Sequence, residues 1–473
     1  MKKIKTTIDK AESIRRVKTI NKDLVINGGD LDVYLELLID GEKILEKKGD
    51  SYVANYIVAL LLLMGSESAD LPTIYRERGN GVASITGISS GAGGVIRLTF
   101  TSGIATTGAG KVIVSGVAGI TIDGIYDYNY ISTTTIDLVG TTYGAGWTSN
   151  TGCAMLYNPA ATLSAQQYTL RTPALYIGAG TTATTINDFS LELPIPNRTT
   201  LGGLTYNVTT LVSEDTADAT SAQVTITRTF VNQSGNTVTI NEAGLAACIG
   251  NDDVSQRALL MRDIISGGVA VANGKTLTVN YRLKTQLSTG TNPGGFVHNF
   301  SKFMYRQLNN TPRPIIAINN VSYAIGGDPT NMQTISAGGK NVLNFISGSN
   351  PAYQRGIVIG TGTTSTSMTD YYLETVVEHG TGPNQMLYYG GFVEGFVIGA
   401  DYAQFTIYKV FENISGSSII INEIGLTGSC YGAGSPYYVS ERDALIARNI
   451  LTSPVTVANN EILKVAYTIK VVV

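Results

Sequence analysis

The chain has 473 residues and a formal net charge of −3. Charged residues make up only 15% of it, whereas an average globular chain has about 25%. Abundant Gly, Thr, Ser, Asn and Tyr are typical of a mainly β protein with many short strands, and the charge balance excludes a general electrostatic attraction to nucleic acid or to a membrane.

The N-terminal region is the most highly charged part of the chain. Residues 1–22 carry eight Lys and Arg against Asp9 and Glu12, a net charge of +6. Because the tip has no interleaved aromatic residues, it is weak evidence for nucleic-acid binding. The stretch LDVYLELLIDGEKILEKKG (31–49) predicts a hairpin around Asp40-Gly41. We expect residues 1–50 to form a basic N-terminal arm and hairpin that dock the protein on a partner, with any nucleic-acid contact confined to the arm.

The basic start is not followed by an apolar core, so no signal peptide is expected, and the protein is expected to be made in the cytoplasm. The longest apolar run, YIVALLLLMG (56–65), falls short of the roughly 20 residues that span a bilayer. It predicts a buried helix and no membrane partner.

Several segments occur twice in the same order. VNQSGNTVTINEAGL (231–245) returns as ENISGSSIIINEIGL (412–426), and IGAGTTATTINDFSLE (177–192) returns as IGTGTTSTSMTDYYLE (359–374). The final strands TLTVNYRLK and ILKVAYTIK both alternate apolar and polar residues, as half-buried strands do. The repetition predicts two duplicated β-sandwich domains with jelly-roll-like connections and one short helix each, formed by residues 51–83 with 151–285 and by residues 286–473.

The first repeat is interrupted by an inserted segment at 84–150, which the second repeat lacks. It contains KVIVSGVAG with Val112–Gly119, a turn at Asp123-Gly124, an aromatic strand at Tyr126–Tyr130 and TTIDL at Thr134–Leu138. This pattern resembles the small β-barrel insert known as the FCCH-like domain of ubiquitin-activating enzymes, with Asp-Gly where that module usually has Asn-Gly. The module recurs in structural proteins of tailed bacteriophages, and the repeated halves also resemble phage virion components. The resemblance implies a small inserted barrel that serves subunit packing or surface display.

The motifs that suggest catalysis have structural interpretations that fit them better. Glu242 and Glu423 recur at equivalent places, and we expect each to cap a turn or to pair with the arginine that follows in its half, Arg262 or Arg448. GVAVANGKT (268–276) has the wrong glycine spacing for a phosphate loop and predicts a hairpin turn. The glycines of IGAGTT and IGTGTT are expected to supply positive φ angles; these are Gly178, Gly180, Gly360 and Gly362.

Metal and ligand sites have little support in the sequence. Three scattered cysteines and two histidines do not form a metal-binding pattern; they are Cys153, Cys248, Cys430, His298 and His379. Four aromatic residues of the insert are candidates for a stacking surface that binds a host glycan; they are Tyr126, Tyr128, Tyr130 and Trp147. Alternation places the three tyrosines on one face of a strand, where packing in the barrel core explains them equally well.

These observations predict a structural component of a tailed-phage particle, in the tail, the neck or on the head. It would form homo-oligomers and contact other virion proteins such as the capsid, the portal or neck, or the tail. No catalytic residue, metal ligand or cofactor is predicted, and the protein is not expected to be an enzyme. The alternative is a host-receptor-binding adhesin or fibre component. A virion-associated polysaccharide-degrading enzyme is a third hypothesis, which would require two carboxylates close together in a cleft.

Overall fold

The computed structural model shows a mainly β protein that includes a closed six-stranded barrel. The structure describes residues 16–26, 31–49, 52–53, 56, 59–60, 75–100, 110–149, 151–159, 170–200, 202–207, 210–215, 221–249, 257–288, 293–309, 313–316, 322–325, 355–431 and 441–472. The mainly β class predicted from composition is therefore confirmed.

The elements fall into four consecutive groups along the chain. The N-terminal strands are β1 (Val17–Ile26), β2 (Leu31–Ile39) and β3 (Glu42–Lys48). The barrel strands are β4 (Tyr75–Ser90), β5 (Ile96–Phe100), β6 (Gly110–Ser115), β7 (Gly124–Ser132), β8 (Thr135–Leu138) and β9 (Cys153–Pro159), with a 3-10 turn at Ala92–Gly94. The next strands are β10 (Leu170–Gly178), β11 (Thr205–Tyr206), β12 (Leu211–Asp215), β13 (Ser221–Val231), β14 (Val238–Ile249), β15 (Arg257–Val271) and β16 (Thr276–Gln286). The last group is β17 (Gly294–Phe296), helix α1 (His298–Asn309), β18 (Arg313–Ile316), β19 (Ser322–Ile325), β20 (Gly356–Gly360), β21 (Leu387–Tyr388), β22 (Phe392–Ile398), β23 (Tyr402–Glu412), β24 (Ile419–Tyr431), β25 (Glu441–Val457) and β26 (Ile462–Val472).

The largest sheet has eleven strands and contains elements from both repeats. Its order is β11-β13-β16-β2-β1-β26-β23-β21, and β3, β12 and β22 pair with β2, β13 and β23. The strands β11, β13 and β16 on one side of β1 and β2 therefore correspond to β21, β23 and β26 on the other side. Strand β13 pairs with β16 from Ser221 opposite Gln286, and β23 pairs with β26 from Tyr402 opposite Val472. The two predicted repeats thus contribute equal-length strands in the same register to one shared sheet.

The N-terminal strands lie inside this shared sheet. Strand β1 runs parallel to β26 over ten consecutive pairs, from Val17 opposite Ile462 to Ile26 opposite Val471. Strand β2 pairs with β16, and β2 and β3 form the predicted hairpin, in which Asp40 and Gly41 both have positive φ. Residues 17–26 and 31–48 pair within their own chain, and the docking role of segment 1–50 stays a prediction. Residues 1–15 lie outside the described residues, so the docking role of the arm stays a prediction.

The barrel closes in the order β4-β5-β8-β7-β6-β9. The barrel takes up a longer stretch of sequence than the predicted insert at 84–150, because β4 begins at Tyr75 and pairs with β9, which ends at Pro159. The barrel has its own buried core. Ile113 and Met155 lie in the main core instead and therefore join the barrel to the body of the protein.

Two smaller sheets, the two-stranded pair β18–β19 and α1 complete the described fold. Strands β10, β14 and β15 form one sheet, and β17, β25, β24 and β20 form the other. One main hydrophobic core includes buried residues of the shared sheet, of both smaller sheets and of α1. Helix α1 follows β17, which pairs with β25 of the second repeat, but the helix also contacts β10, β12 and β13 of the first repeat. The two repeats therefore pack against each other extensively.

The predicted buried helix at 56–65 lies mostly outside the described residues. Its described members Tyr56, Ala59 and Leu60 are helical and buried. Among the described residues, no helix combines the length and the apolar character needed to span a membrane.

Candidate functional site

The aromatic residues proposed as a glycan-stacking surface pack in or against the core of the barrel. Along β7 the side chains alternate, with Tyr126, Tyr128 and Tyr130 on the less exposed side. Tyr128 is only 2% exposed and belongs to the barrel core, while Tyr126, Tyr130 and Trp147 are partly buried against that core. The outward side of β7 carries Ile125, 49% exposed, instead. The geometry therefore favours the core-packing interpretation of the tyrosines.

A pair of substitutions on β7 tests this assignment of faces. We expect Tyr126→Ser to destabilise the barrel by about 1–2 kcal/mol, because it removes a partly buried aromatic ring from the core. We expect Ile131→Ser, on the outward side of the same strand, to change stability by less than about 0.5 kcal/mol. The measurement is urea denaturation followed by the fluorescence of Trp147, the single tryptophan of the chain. Equal losses in the two variants would contradict the assignment.

The two repeated glutamates each form the centre of a buried polar cluster, which we call the clip. In the first clip, Arg262 Nε lies 2.8 Å from Glu242 Oε2, and Nη1 of the same guanidinium lies 2.7 Å from Asp188. Its Nη2 donates to the Thr182 carbonyl at 3.0 Å and lies 3.4 Å from Glu192. The guanidinium thus joins β14 and β15 to the loop that follows β10.

The second clip repeats these contacts. Arg448 Nε lies 2.8 Å from Glu423 Oε2, and its Nη1 lies 2.7 Å from Asp370. Its Nη2 donates to the Thr364 carbonyl at 3.0 Å and lies 3.9 Å from Glu374. The predicted pairing of each glutamate with the arginine of its own half is confirmed in both repeats.

The carboxylates of Glu242 and Glu423 each accept hydrogen bonds on both oxygens. Glu242 Oε1 accepts from the Gly180 and Leu193 amides at 3.1 and 2.8 Å, and Oε2 accepts from the Glu192 amide at 3.0 Å in addition to Arg262. Glu423 accepts four equivalent bonds, from the backbone amides of Gly362, Thr375 and Glu374 and from Arg448. Each carboxylate has two donors on each oxygen, which saturates its ordinary acceptor capacity. Both glutamates therefore act as loop anchors.

The clips also explain the glycines of IGAGTT and IGTGTT, for which the predicted reason was wrong. None of these four glycines has a positive φ. A Cβ on Gly178 would lie 2.3 Å from Glu242 Oε1, and one on Gly360 would lie 2.5 Å from Glu423 Oε1. Gly180 and Gly362 are constrained in the same way. Glycine is required because the backbone approaches the buried carboxylate closely, as the backbone approaches a ligand at other glycine sites.

Asp188, Asp370, Glu192 and Glu374 were not singled out from the sequence, although a signal for them was present. They occupy equivalent positions in the repeated IGAGTTATTINDFSLE and IGTGTTSTSMTDYYLE segments. A polar residue that recurs in both copies at a loop beside a recurring Glu–Arg pair is a candidate partner of that pair.

The repeated turn at VNQSGN and ENISGS is held by a buried asparagine. Asn232 Nδ2 donates to the carbonyls of Asn236 and Val271 at 2.8 and 2.6 Å, and Asn232 Oδ1 accepts from Ser234 N at 3.0 Å. Asn413 repeats the pattern, with bonds to the carbonyls of Ser417 and Val457 and from Ser415 N. The stretch that recurs most clearly in the sequence is thus a local brace in both copies.

A cation on the core side of the sheet is also shared; Lys409 is buried, whereas Arg228 is only partly buried. Arg228 Cζ lies 4.9 Å from the ring centroid of Tyr206 and 5.8 Å from that of Phe230. Lys409, at the equivalent position of β23, has Nζ 4.9 Å from the Tyr388 ring and 5.9 Å from the Phe411 ring. Its Nζ also donates to the Arg355 carbonyl at 2.7 Å.

Lys409 gives the protein a predictable pH dependence. Burial lowers the pKa of Lys409 to about 7 in the folded protein, with Asp443 opposing the shift. Between that pKa and the unfolded value of about 10.4, the unfolded chain binds more protons, so stability rises with pH in this window. We expect wild-type stability to increase by about 1–2 kcal/mol from pH 7 to pH 9 relative to Lys409→Met, whose side chain cannot titrate. Urea denaturation at both pH values measures the difference, and identical pH slopes for the two proteins would contradict it.

The described residues contain no cluster of three or more His, Cys, Asp and Glu side chains arranged to hold a metal ion. Cys153 is buried, and burial raises the pKa of its thiol to about 11, so the thiol stays protonated at neutral pH. Comparison of the chain with protein-family models, with curated proteins and with solved structures gave no match.

Proposed function

We propose that the protein is a virion structural component of a tailed bacteriophage, built from two duplicated β-sandwich halves and an FCCH-like barrel insert. The observation that carries the proposal is the repetition of the clip. The polar side chains that recur in both halves form hydrogen bonds and ion pairs that brace loops, and their bonding capacity is used within the chain. The presence of the same bracing contacts in both halves suits a protein whose role is to present surfaces to other subunits.

The shared sheet supplies surfaces suited to assembly. Strands β12 and β22 lie at its two ends, and no other described strand pairs with their outer edges. The sequence of β22 is FVEGFVI, and its Val397 is 39% exposed. An apolar edge strand of this kind can accept a strand from another subunit. Strand addition at β22 would link copies of the chain into a homo-oligomer.

The mass of the purified protein in solution tests this proposal. We expect a species larger than the 50.1 kDa monomer, and we expect Val397→Lys to shift it toward monomer, because a charge on an edge strand opposes strand addition. Ile125→Lys, on the exposed side of the barrel, is the matched control and should leave the oligomer intact. A wild-type monomer at all accessible concentrations would overturn assembly through β22.

Deletion of residues 1–15 tests the docking role of the arm without removing a strand of the shared sheet. This deletion keeps β1, so the shared sheet is preserved, whereas deletion of residues 1–50 would remove three of its strands. If the basic arm docks the protein on the particle, the shortened protein should fold normally but fail to enter virions. Normal incorporation would reject the docking role of the arm.

The adhesin hypothesis placed a stacking surface on the insert. The tyrosines that suggested this surface pack toward the barrel interior. The structural role is therefore the function that the geometry supports best.

A further inference from the structure

The outer face of the shared sheet differs sharply between the two repeats. Equivalent positions of β13 and β23 carry Ser221 and Thr227 in the first repeat, and Tyr402 and Tyr408 in the second. Residues shared by the repeats brace the fold, so exposed positions where the repeats diverge are the ones free to acquire a separate function.

A groove lies at this divergent surface, with a volume of about 410 Å³. It is lined by Val17, Thr19 and Asn21 of β1, Lys464 of β26 and Tyr408 of β23. This volume falls within the ~300–1,000 Å³ range of small-ligand sites.

Next to the groove, one position carries a smaller side chain than its equivalent in the first repeat. Ala466 lies between Asn21 and Tyr408 in the strand register. The residue equivalent to Ala466 is Asn280 of β16, whose amide donates to Glu36 at 2.8 Å and whose carbonyl accepts from Thr227 at 2.7 Å. The small side chain of Ala466 replaces that bridging amide, so this face of the second repeat has no counterpart of the first repeat's bridge.

The groove combines an aromatic ring with several hydrogen-bond donors. The Tyr408 ring stacks on Phe392, with centroids 5.2 Å apart, and the Lys464 ammonium lies 4.9 Å from the Tyr408 centroid. Thr19 is opposite Lys464 in the register and, like Asn21, is exposed. The ammonium, the amide and the hydroxyl can all donate to oxygen atoms.

We propose that this groove binds a carboxylated saccharide, such as a uronic acid unit of a surface polysaccharide. When Lys464 turns from the Tyr408 ring to pair with the carboxylate, the ring face that it covers becomes available to the apolar face of the sugar. The amide and hydroxyl groups suit the sugar hydroxyls. A site with one aromatic wall and one cation is expected to bind a single sugar unit weakly, with a Kd on the order of 1 mM. The proposal does not depend on assembly of the protein into a virion.

The test is saturation-transfer-difference NMR of the full chain, titrated separately with glucuronic acid, glucose and acetate at constant ionic strength. We expect saturable binding of glucuronic acid that is about tenfold tighter than that of either other probe, because only glucuronic acid carries both the ring and the carboxylate. Undetectable binding of glucuronic acid would overturn the proposal. Equal binding of acetate would reduce the groove to a simple anion site, and equal binding of glucose would remove the role of Lys464; both results overturn the proposal as stated.

Substitutions then place the binding in the groove. Ala466→Asn introduces the side chain that the first repeat carries at the equivalent position, and it should abolish binding while the protein stays folded. Lys464→Met should weaken the binding of glucuronic acid about tenfold, the factor that a lost charge pair of about 1.4 kcal/mol produces. The matched controls are Asn280→Ala and Thr278→Ala, the equivalent sites of the first repeat, which should leave binding unchanged. Unaltered binding in Ala466→Asn, with unfolding curves confirming a native fold, would exclude the groove.

Discussion

Replacement of Arg448 by methionine is expected to destabilise the protein by about 3–5 kcal/mol, since it leaves a buried carboxylate without its partner. The Glu423 side chain is fully buried and the Arg448 side chain is 3% exposed. The same guanidinium also holds Asp370 and the Thr364 carbonyl. Its removal therefore frees both the strand pair β24–β25 and the loop after β20.

The first repeat contains the equivalent clip, so its arginine provides an internal comparison for this prediction. Arg262→Met breaks the equivalent clip, so it should cost a similar amount by urea denaturation. Lys111→Met breaks an exposed ion pair with Asp127 and should cost less than about 1 kcal/mol. The double variant Glu423→Gln/Arg448→Met should be less destabilised than the sum of its single variants, because the unpaired charge is then absent. A loss below about 1 kcal/mol in both arginine variants would show that the clips do not stabilise the fold.

Placement of an aspartate at Leu24 in β1 is expected to prevent folding or to cost at least about 4 kcal/mol, because it buries an unpaired charge. Leu24 is fully buried in the main core, and its strand pairs with β26 over ten positions. Loss of β1 would expose an edge of β26 and separate the sheet portions contributed by the two repeats.

The control for this prediction is Thr19→Asp, on the exposed outer face of the same strand. It introduces the same charge into the same strand and should change stability by less than about 1 kcal/mol. Circular dichroism and urea denaturation of both variants measure the difference. A Leu24→Asp protein as stable as Thr19→Asp would show that β1 does not contribute to the shared sheet.

The sequence predicted local features well. The Asp40-Gly41 turn, the alternation of the final strands, the Glu–Arg pairs and the barrel each depend on residues close in sequence or on a repeated pattern. The position of β1 could not be predicted in this way. Its partner β26 is more than 400 residues away, and strand alternation does not reveal which strand lies alongside.

The assignment of glycines and tyrosines shows a second limit. The glycines of the repeated loop were correctly identified as structural, but the reason for them is a carboxylate that arrives from β14 or β24. The period of β7 placed three tyrosines on one face, but only barrel closure determines that this face is the interior. In both cases the missing information was a contact between distant segments.

The parallel pairing of β1 with β26 also has a consequence for biosynthesis. The ribosome releases β1 more than 400 residues before β26, the strand with which it pairs. Until then β1 has an unsatisfied edge, and loop closure over so long a separation makes this step slow. We therefore expect nascent chains to remain vulnerable to proteases and to chaperone capture until β26 has emerged from the ribosome and paired with β1.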